Sequence, residues 1–235
     1  MKKILFTGLA SVLFLFVLVS PARAQATDIE TQKLIVVLLQ QITDLQQQLL
    51  VLQQAEALAN GALVTNPSNP VAIFDTNLGV IEVELFADVM PITVGNFVAL
   101  VQDGFYAKTK FHRVIDNFMI QGGDPNSKTN DTQRYGTGGP GYIIEDEHIS
   151  GEFLTNVRGT ISMANAGPNS GGSQFFINLV DNKNLDFDKM PLASQHPVFG
   201  HVISGLKVVD TIGAVNTDNR DIPVENVVVE SIQIQ

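Results

Sequence analysis

The stretch FHRVIDNFMIQGG, Phe111 to Gly123, decides how this chain is read. Two short apolar runs flank Asp116-Asn117, a pair that favours a turn because both side chains bond to nearby backbone and tolerate left-handed conformations. If the runs are strands, Phe111 and Arg113 share one face of the first, and Met119 and Gln121 share one face of the second. A guanidinium is thereby set beside an apolar floor, with a carboxamide at hand. Desolvating such a charge is costly unless it meets a partner. Taken alone, F-H-R in a hairpin is an ordinary surface arginine, so the reading depends on what surrounds it.

Upstream, VAIFDT and VIEVELF are joined at Asn77-Leu78-Gly79. Ile81, Val83 and Leu85 alternate with Glu82 and Glu84, the pattern of a hairpin with one wet face. Pro91 suits the first turn of a helix, and Val94, Phe97, Val98 and Val101 give that helix an apolar stripe before Asp103-Gly104 ends it. Downstream come several short strands with turn signals, a second helix over Leu206 to Ile212, and a last strand from Val224 to Ile234. Many strands with two helices predict a mainly β fold, a closed barrel with capped ends.

The first seventy residues are of other material. Residues 1–24 read as a secretory signal: Lys2 and Lys3 precede an apolar run from Ile4 to Val19, and Ala22-Arg23-Ala24 is a small-x-small cleavage site. The alternative is an uncleaved anchor, for which the run is short. Either way the remainder would lie outside the cytoplasm. Residues 25–62 are rich in Gln and Leu and read as one long helix, without Gly or Pro from 28 to 59. Thr27 and Glu30 have capping-box spacing, and Asn60-Gly61 supplies a stop. Ile35, Leu38, Ile42, Leu45, Leu49 and Leu52 alternate in threes and fours, the seam of a parallel coiled coil. Flanking Gln41, Gln46, Gln48 and Gln53 specify partner choice poorly. The alternatives are packing on the chain's own domain or on another protein. Residues 63–70 contain Asn66-Pro67-Ser68-Asn69-Pro70 and read as a linker to a domain over 71–235.

Composition excludes several functions. The formal net charge is −10, and three of the 14 basic residues fall within the first 24. That argues against nucleic acid as a partner, because counterion release needs a basic footprint. With no cysteine, there is no disulfide, thiolate metal site or cysteine nucleophile. His112, His148, His196 and His201 are scattered, without helical metal-site spacing. Gly171-Gly172-Ser173-Gln174 lacks the second glycine of a nucleophile elbow. Gly136 to Gly141 matches G-x-G-x-x-G literally, but it opens no helix and contains Pro140, so it reads as a loop. Glu145 and Glu147 lie in an acidic stretch read as solvated surface or a hydrogen-bonded turn. A cation, amides and an apolar pocket are left.

Tyr106, Thr109, Phe111, His112, Arg113, Phe118, Met119, Gln121 and Gly122 form one block, ISMANAGPNSGGSQFFIN (Ile161 to Asn178) a second, and HPVFGHV (His196 to Val202) a third. In this order they resemble the cyclophilin family of peptidyl-prolyl isomerases, over Val71 to Gln235. The resemblance implies an eight-stranded antiparallel barrel capped by two helices and isomerisation of Xaa-Pro bonds without a cofactor. It makes Arg113 catalytic, with Gln121 orienting it. Phe118, Met119 and Phe176 would wall a proline pocket, with Leu185 and His196 at its side. Ala164, Asn165 and Ala166 would line the groove for residues before the proline, with Gln174 nearby, and His112 would be structural. The family members best known for binding cyclosporin carry a tryptophan where this chain has Asn184, which implies weak cyclosporin binding, and the segment from Phe187 to Gln195 reshapes that rim.

The leading expectation is therefore an exported isomerase that assists the folding of proline-containing, unfolded exported proteins, with a homo-oligomer through residues 28–59. A non-catalytic proline-peptide binding module is the second. In the third, the coiled coil is the main business and the domain its effector head.

Overall fold

A computed structural model describes residues 31–43, 45, 66–148, 154–189 and 195–235 of the 235-residue chain. It divides into two compact units, Met1–Gln53 and Gln54–Gln235. In the first, residues 31–43 form helix α1, and Leu45 is helical as well. Leu34, Ile35, Val36, Val37, Leu38, Leu39, Ile42 and Leu45 are all exposed. The expected signal sequence, the remainder of the helix expected over 28–59 and residues 63–65 of the expected linker lie outside the described residues.

Among its described residues, the second unit holds one eight-stranded antiparallel sheet, two α-helices and short 3-10 turns. Its strands are β1 (Val71–Thr76), β2 (Gly79–Leu85), β3 (Arg113–Ile115), β4 (Met119–Gly122), β5 (Thr160–Met163), β6 (Phe175–Asn178), β7 (Val198–Ser204) and β8 (Val229–Ile234). They are ordered β3-β4-β6-β5-β7-β2-β1-β8. The expected closed barrel is not formed, because the ladder is open between its end strands β3 and β8. β3 is only three residues long, and Lys108, just upstream, has φ 63°, a left-handed conformation that no regular strand can contain. An isolated bridge, Lys110 to Val228, spans the opening, with backbone bonds from Lys108 N to Val229 O (2.8 Å) and Phe111 N to Val227 O (2.9 Å).

Helices α2 (Pro91–Gln102) and α3 (Leu206–Gly213) fall where the apolar stripe and the second helix were expected. α2 begins at Pro91 without a capping side chain of its own. Its stripe, Val94, Phe97, Leu100 and Val101, is buried. Phe97 packs against Phe74, Tyr106, Phe175 and Phe199, with ring centroids 5.1–6.0 Å apart. Aromatic rings give this core much of its buried area and its tilted contacts.

Three further expectations are corrected. Glu84 is not on a wet face: it is 1% exposed, and its Oε1 accepts Asn66 N and Asn69 Nδ2, both at 2.8 Å. Residues 66–69 fold over it and supply two donors to that oxygen, while Oε2 is buried 3.8 Å from His201 Nε2. Phe111 and Arg113 do not share a face. The chain enters β3 only at Arg113, so strict alternation fails before it, and Phe111 is buried against Phe175 while Arg113 opens onto a groove. The last strand begins at Val229 rather than Val224, which is 66% exposed. Before it, the chain makes local bonds such as Val224 N to Asn216 O, 2.9 Å, instead of pairing with β1.

Candidate active site

Sheet register assembles the groove. Arg113 on β3 pairs with Gln121 on β4, and Gln121 pairs with Phe176 on β6. Directly opposed residues project to the same side of a sheet, so a cation, a carboxamide and an aromatic ring from three strands stand in one row. Met119, two residues from Gln121 on β4, opens to the same groove, as the period of two requires. The Asp116-Asn117 turn that sets this register has Asn117 at φ 55°.

The groove is a cavity of about 500 Å³. Arg113, Phe118, Met119, Gln121, Ala164, Asn165, Phe176, Leu185 and His196 line it. Ala166 and Gln174 line an adjoining cavity of about 300 Å³ that shares Gln121, Ala164 and Asn165 with the first. All eleven residues picked from the sequence are therefore brought together along one continuous surface. The far wall was not foreseen: Thr132, Gln133 and Tyr135 come from one loop, and Arg220 and Ile222 from another. No motif spacing marks them, because they reach the groove through loop packing.

Supporting hydrogen bonds hold each wall. Phe118 O accepts Leu179 N at 2.9 Å and Asn182 Nδ2 at 2.8 Å, which fixes the Phe118 backbone beside the groove. Asn182 Nδ2 also donates to Asn178 Oδ1 (2.8 Å), and Ser162 Oγ to Asn156 Oδ1 (2.7 Å). Asp186 accepts the Asn156 amide at 2.7 Å. A satisfied polar network of this kind is rigid as well as buried. His196 Nδ1 lies 3.1 Å from Met163 O, and its ring stands edge-on to Phe176 with centroids 5.3 Å apart. Asn165 Nδ2 donates to Gln195 O at 2.6 Å. Among the described residues, the Asn165 backbone N–H and C=O make no hydrogen bond, so both can pair with an extended peptide. Of the rim from Phe187 to Gln195, residues 190–194 lie outside the described residues; Gln195 Nε2 donates to Phe187 O at 2.6 Å.

Gln121 makes no hydrogen bond to Arg113 among the described residues. Its Nε2 donates to Gln174 Oε1 at 3.0 Å, and Gln174 Nε2 donates to Gly136 O and Gly138 O at 3.0 and 2.8 Å. The glycine-rich segment is thus a loop pinned to the groove. Asp124, fully buried, accepts Gly136 N, and a side chain at Gly138 would collide with that carboxylate. Glu147 is neither solvated surface nor part of a local turn, since it accepts two amides at the start of α2.

Electrostatics suit binding rather than proton transfer. Arg113 is half-exposed, with its Nε 3.6 Å from Asp221 Oδ2. His112 is buried beneath the groove, and burial pushes its pKa down, against a smaller upward pull from Asp124. His196 is likewise held below the ordinary histidine value, chiefly by burial. Both rings are neutral at pH 7. No group of three or more metal-ligating side chains occurs among the described residues.

Comparison with known proteins agrees with this geometry. The family described as cyclophilin type peptidyl-prolyl cis-trans isomerase/CLD matches residues 71–234. A peptidyl-prolyl cis-trans isomerase-like 1 of Aspergillus fumigatus is 43% identical over 155 residues, 66% of this chain and 89% of that protein. A peptidyl-prolyl cis-trans isomerase-like 3 of Dictyostelium discoideum is 38% identical over 163 residues, 68% of this chain and 91% of that protein. A crystal structure of a Cryptosporidium parvum cyclophilin type isomerase, obtained in the presence of the dipeptide Ala-Pro, shares 32% identity with a TM-score of 0.60. That match covers 70% of this chain and 98% of the other. On the family match, the identity with these relatives and the likeness of fold, the chain belongs to the cyclophilin-type peptidyl-prolyl cis-trans isomerases.

Proposed function

We propose that this isomerase works outside the cytoplasm on exported proteins, with Arg113 as its catalytic residue. The observation that carries the catalytic assignment is the cross-strand row of Arg113, Gln121 and Phe176, which puts the one cation of that row beside an apolar wall. In this reading the proline ring sits among Phe118, Met119 and Phe176, flanked by Leu185 and His196. The residues before it run past Ala164, Asn165 and Ala166, pairing with the Asn165 backbone. Gln121 and Gln174 hold the adjoining loop and frame the groove.

Rotation needs no covalent step. The imide barrier is about 18–20 kcal/mol because resonance must be broken. As the bond twists, the imide nitrogen loses conjugation and becomes an acceptor, and the Arg113 guanidinium donates toward it while holding the prolyl carbonyl. Reaching millisecond turnover from tens to hundreds of seconds needs roughly 5.5–7 kcal/mol. A preorganised donor in a dry site supplies about 3–4 kcal/mol, and burial of the ring together with desolvation of the prolyl carbonyl supplies the remainder.

The basic-apolar-cleavage pattern of residues 1–24 supports export. The exposed apolar residues of α1, on heptad spacing, support self-association through residues 28–59. Asn184, exposed where a tryptophan edge would stand, supports weak cyclosporin binding.

The test is the isomerisation rate of a short Xaa-Pro peptide by exchange NMR, with the full chain and its Arg113→Ala variant. Acceleration that collapses in the variant is expected. Binding without acceleration would favour a proline-peptide binding module instead.

A further inference from the structure

Arg113 needs a fixed orientation to act on one rotating bond, and Gln121, its cross-strand partner, makes no hydrogen bond to it, its Nε2 donating to Gln174 instead. Among the described residues, the single polar partner within reach of the guanidinium is the Asp221 carboxylate, 3.6 Å from Nε. Asp221 belongs to the loop between α3 and β8, and its backbone is clamped from two sides. Its carbonyl accepts Val114 N at 2.8 Å, on the residue next to Arg113, and its own amide donates to Asp218 O at 3.1 Å. The Asp218 carboxylate closes the turn by accepting Arg220 N and Ile222 N, both at 2.9 Å. Arg220 Nη2 donates to Thr132 Oγ1 at 2.8 Å, tying this loop to the other segment of the same wall.

Asp221 also has φ 61°, a conformation sterically disfavoured for any residue with a Cβ. Stability does not explain that arrangement. Both partners of the ion pair are nearly half-exposed, and such pairs contribute little. We propose that Asp221 is the positioning residue for Arg113: held by backbone bonds to the strand that carries Arg113, its carboxylate faces Nε as an ion pair at 3.6 Å and biases the guanidinium so that both terminal nitrogens can donate into the groove. A planar guanidinium presents five donors in a fixed fork, so restraint at Nε sets the direction of the other four.

The proposal rests on Arg113 being catalytic, and three variants of the full chain separate the two ideas. Asp221→Asn keeps size and tolerance of the left-handed backbone while removing the charge. Its kcat/KM is expected to fall roughly three- to tenfold, with peptide Kd changed by less than about twofold. The Arg113 Nε–H resonance should shift, while amide exchange at Val114 stays as in the wild type. Asp221→Gly, which relieves the backbone and has no carboxylate, should be equally impaired. Wild-type kcat/KM with an unmoved Arg113 resonance in Asp221→Asn, or full activity in Asp221→Gly, would overturn the proposal. Arg113→Ala with a wild-type rate would instead remove Arg113 itself from catalysis. Loss of rate in Arg113→Ala with none in Asp221→Asn would leave Arg113 catalytic and discard only Asp221.

Discussion

Gln121 and Gln174 are joined by a hydrogen bond of 3.0 Å between Nε2 of the first and Oε1 of the second, and this bond links the floor of the groove to its glycine-rich rim. Gln174 continues the chain of bonds to Gly136 O and Gly138 O. Replacing Gln174 by Ala removes all three. Each is a neutral bond worth about 0.5–1.5 kcal/mol, so the variant should lose roughly 1 kcal/mol or more of loop order and show a several-fold higher KM. Proton-exchange rates over residues 136–141, measured beside peptide kinetics, check this; unchanged exchange would mean that other contacts hold the loop.

Arg113→Lys tests whether geometry or charge matters at the groove. An ammonium is a point charge without the planar fork and cannot donate in the same fixed direction. The expected result is a loss of about 100-fold in kcat/KM, with peptide affinity little changed. A rate within about threefold of wild type would show that charge alone suffices.

Glu147 carries the N-terminus of α2 from 55 residues away. Its carboxylate oxygens accept Ile92 N at 3.0 Å and Thr93 N at 2.7 Å, in place of the side-chain cap that Met90 cannot supply. Glu147→Ala should destabilise the domain by about 1 kcal/mol, the usual worth of a cap, or about 2–4 °C in melting temperature. Calorimetry of the variant decides, and an unchanged melting temperature would assign the cap no net stability.

Stability should fall on mild acidification. Burial is the largest influence on His112, His196 and His201 and lowers all three from the ordinary 6.5. Below that pH the unfolded chain binds protons that the folded chain refuses, so stability is full above about pH 6.5 and declines as pH drops toward the folded values. His201, with Nε2 3.8 Å from Glu84 Oε2, is pulled upward by that carboxylate, but less than burial pushes it down. Melting temperatures between pH 8 and pH 5 should decrease, and His201→Phe should make the slope shallower whatever its absolute stability. A flat profile would mean that the histidines are accessible to water.

Self-association is tested by mass in solution. The full chain lacking residues 1–24 should sediment as a dimer, and removing residues 25–66 should return a monomer with unchanged activity per domain. The same oligomeric state for both would place the apolar face of α1 against something other than a second copy.

The primary structure by itself determined the hairpin β1–β2 and both helices of the domain, and the resemblance of its motif blocks picked eleven of the residues that line the groove. Alternation, proline and glycine placement and the Asp116-Asn117 turn are local signals, set by steric preferences within a few residues. Periodicity failed where the backbone leaves regular geometry, at Lys108 to His112, so the face of Phe111 and the opening of the ladder were not readable. Only the tertiary structure decided which distant polar groups meet. Glu84 is buried because the linker's Asn66 and Asn69 fold over it, Glu147 caps a helix it does not adjoin in sequence, and Asp221 rather than Gln121 faces the Arg113 guanidinium. Those pairings depend on loop closure across tens to more than a hundred residues, and no local preference encodes them, because a carboxylate's partner is whichever donor the packed core brings within about 3 Å.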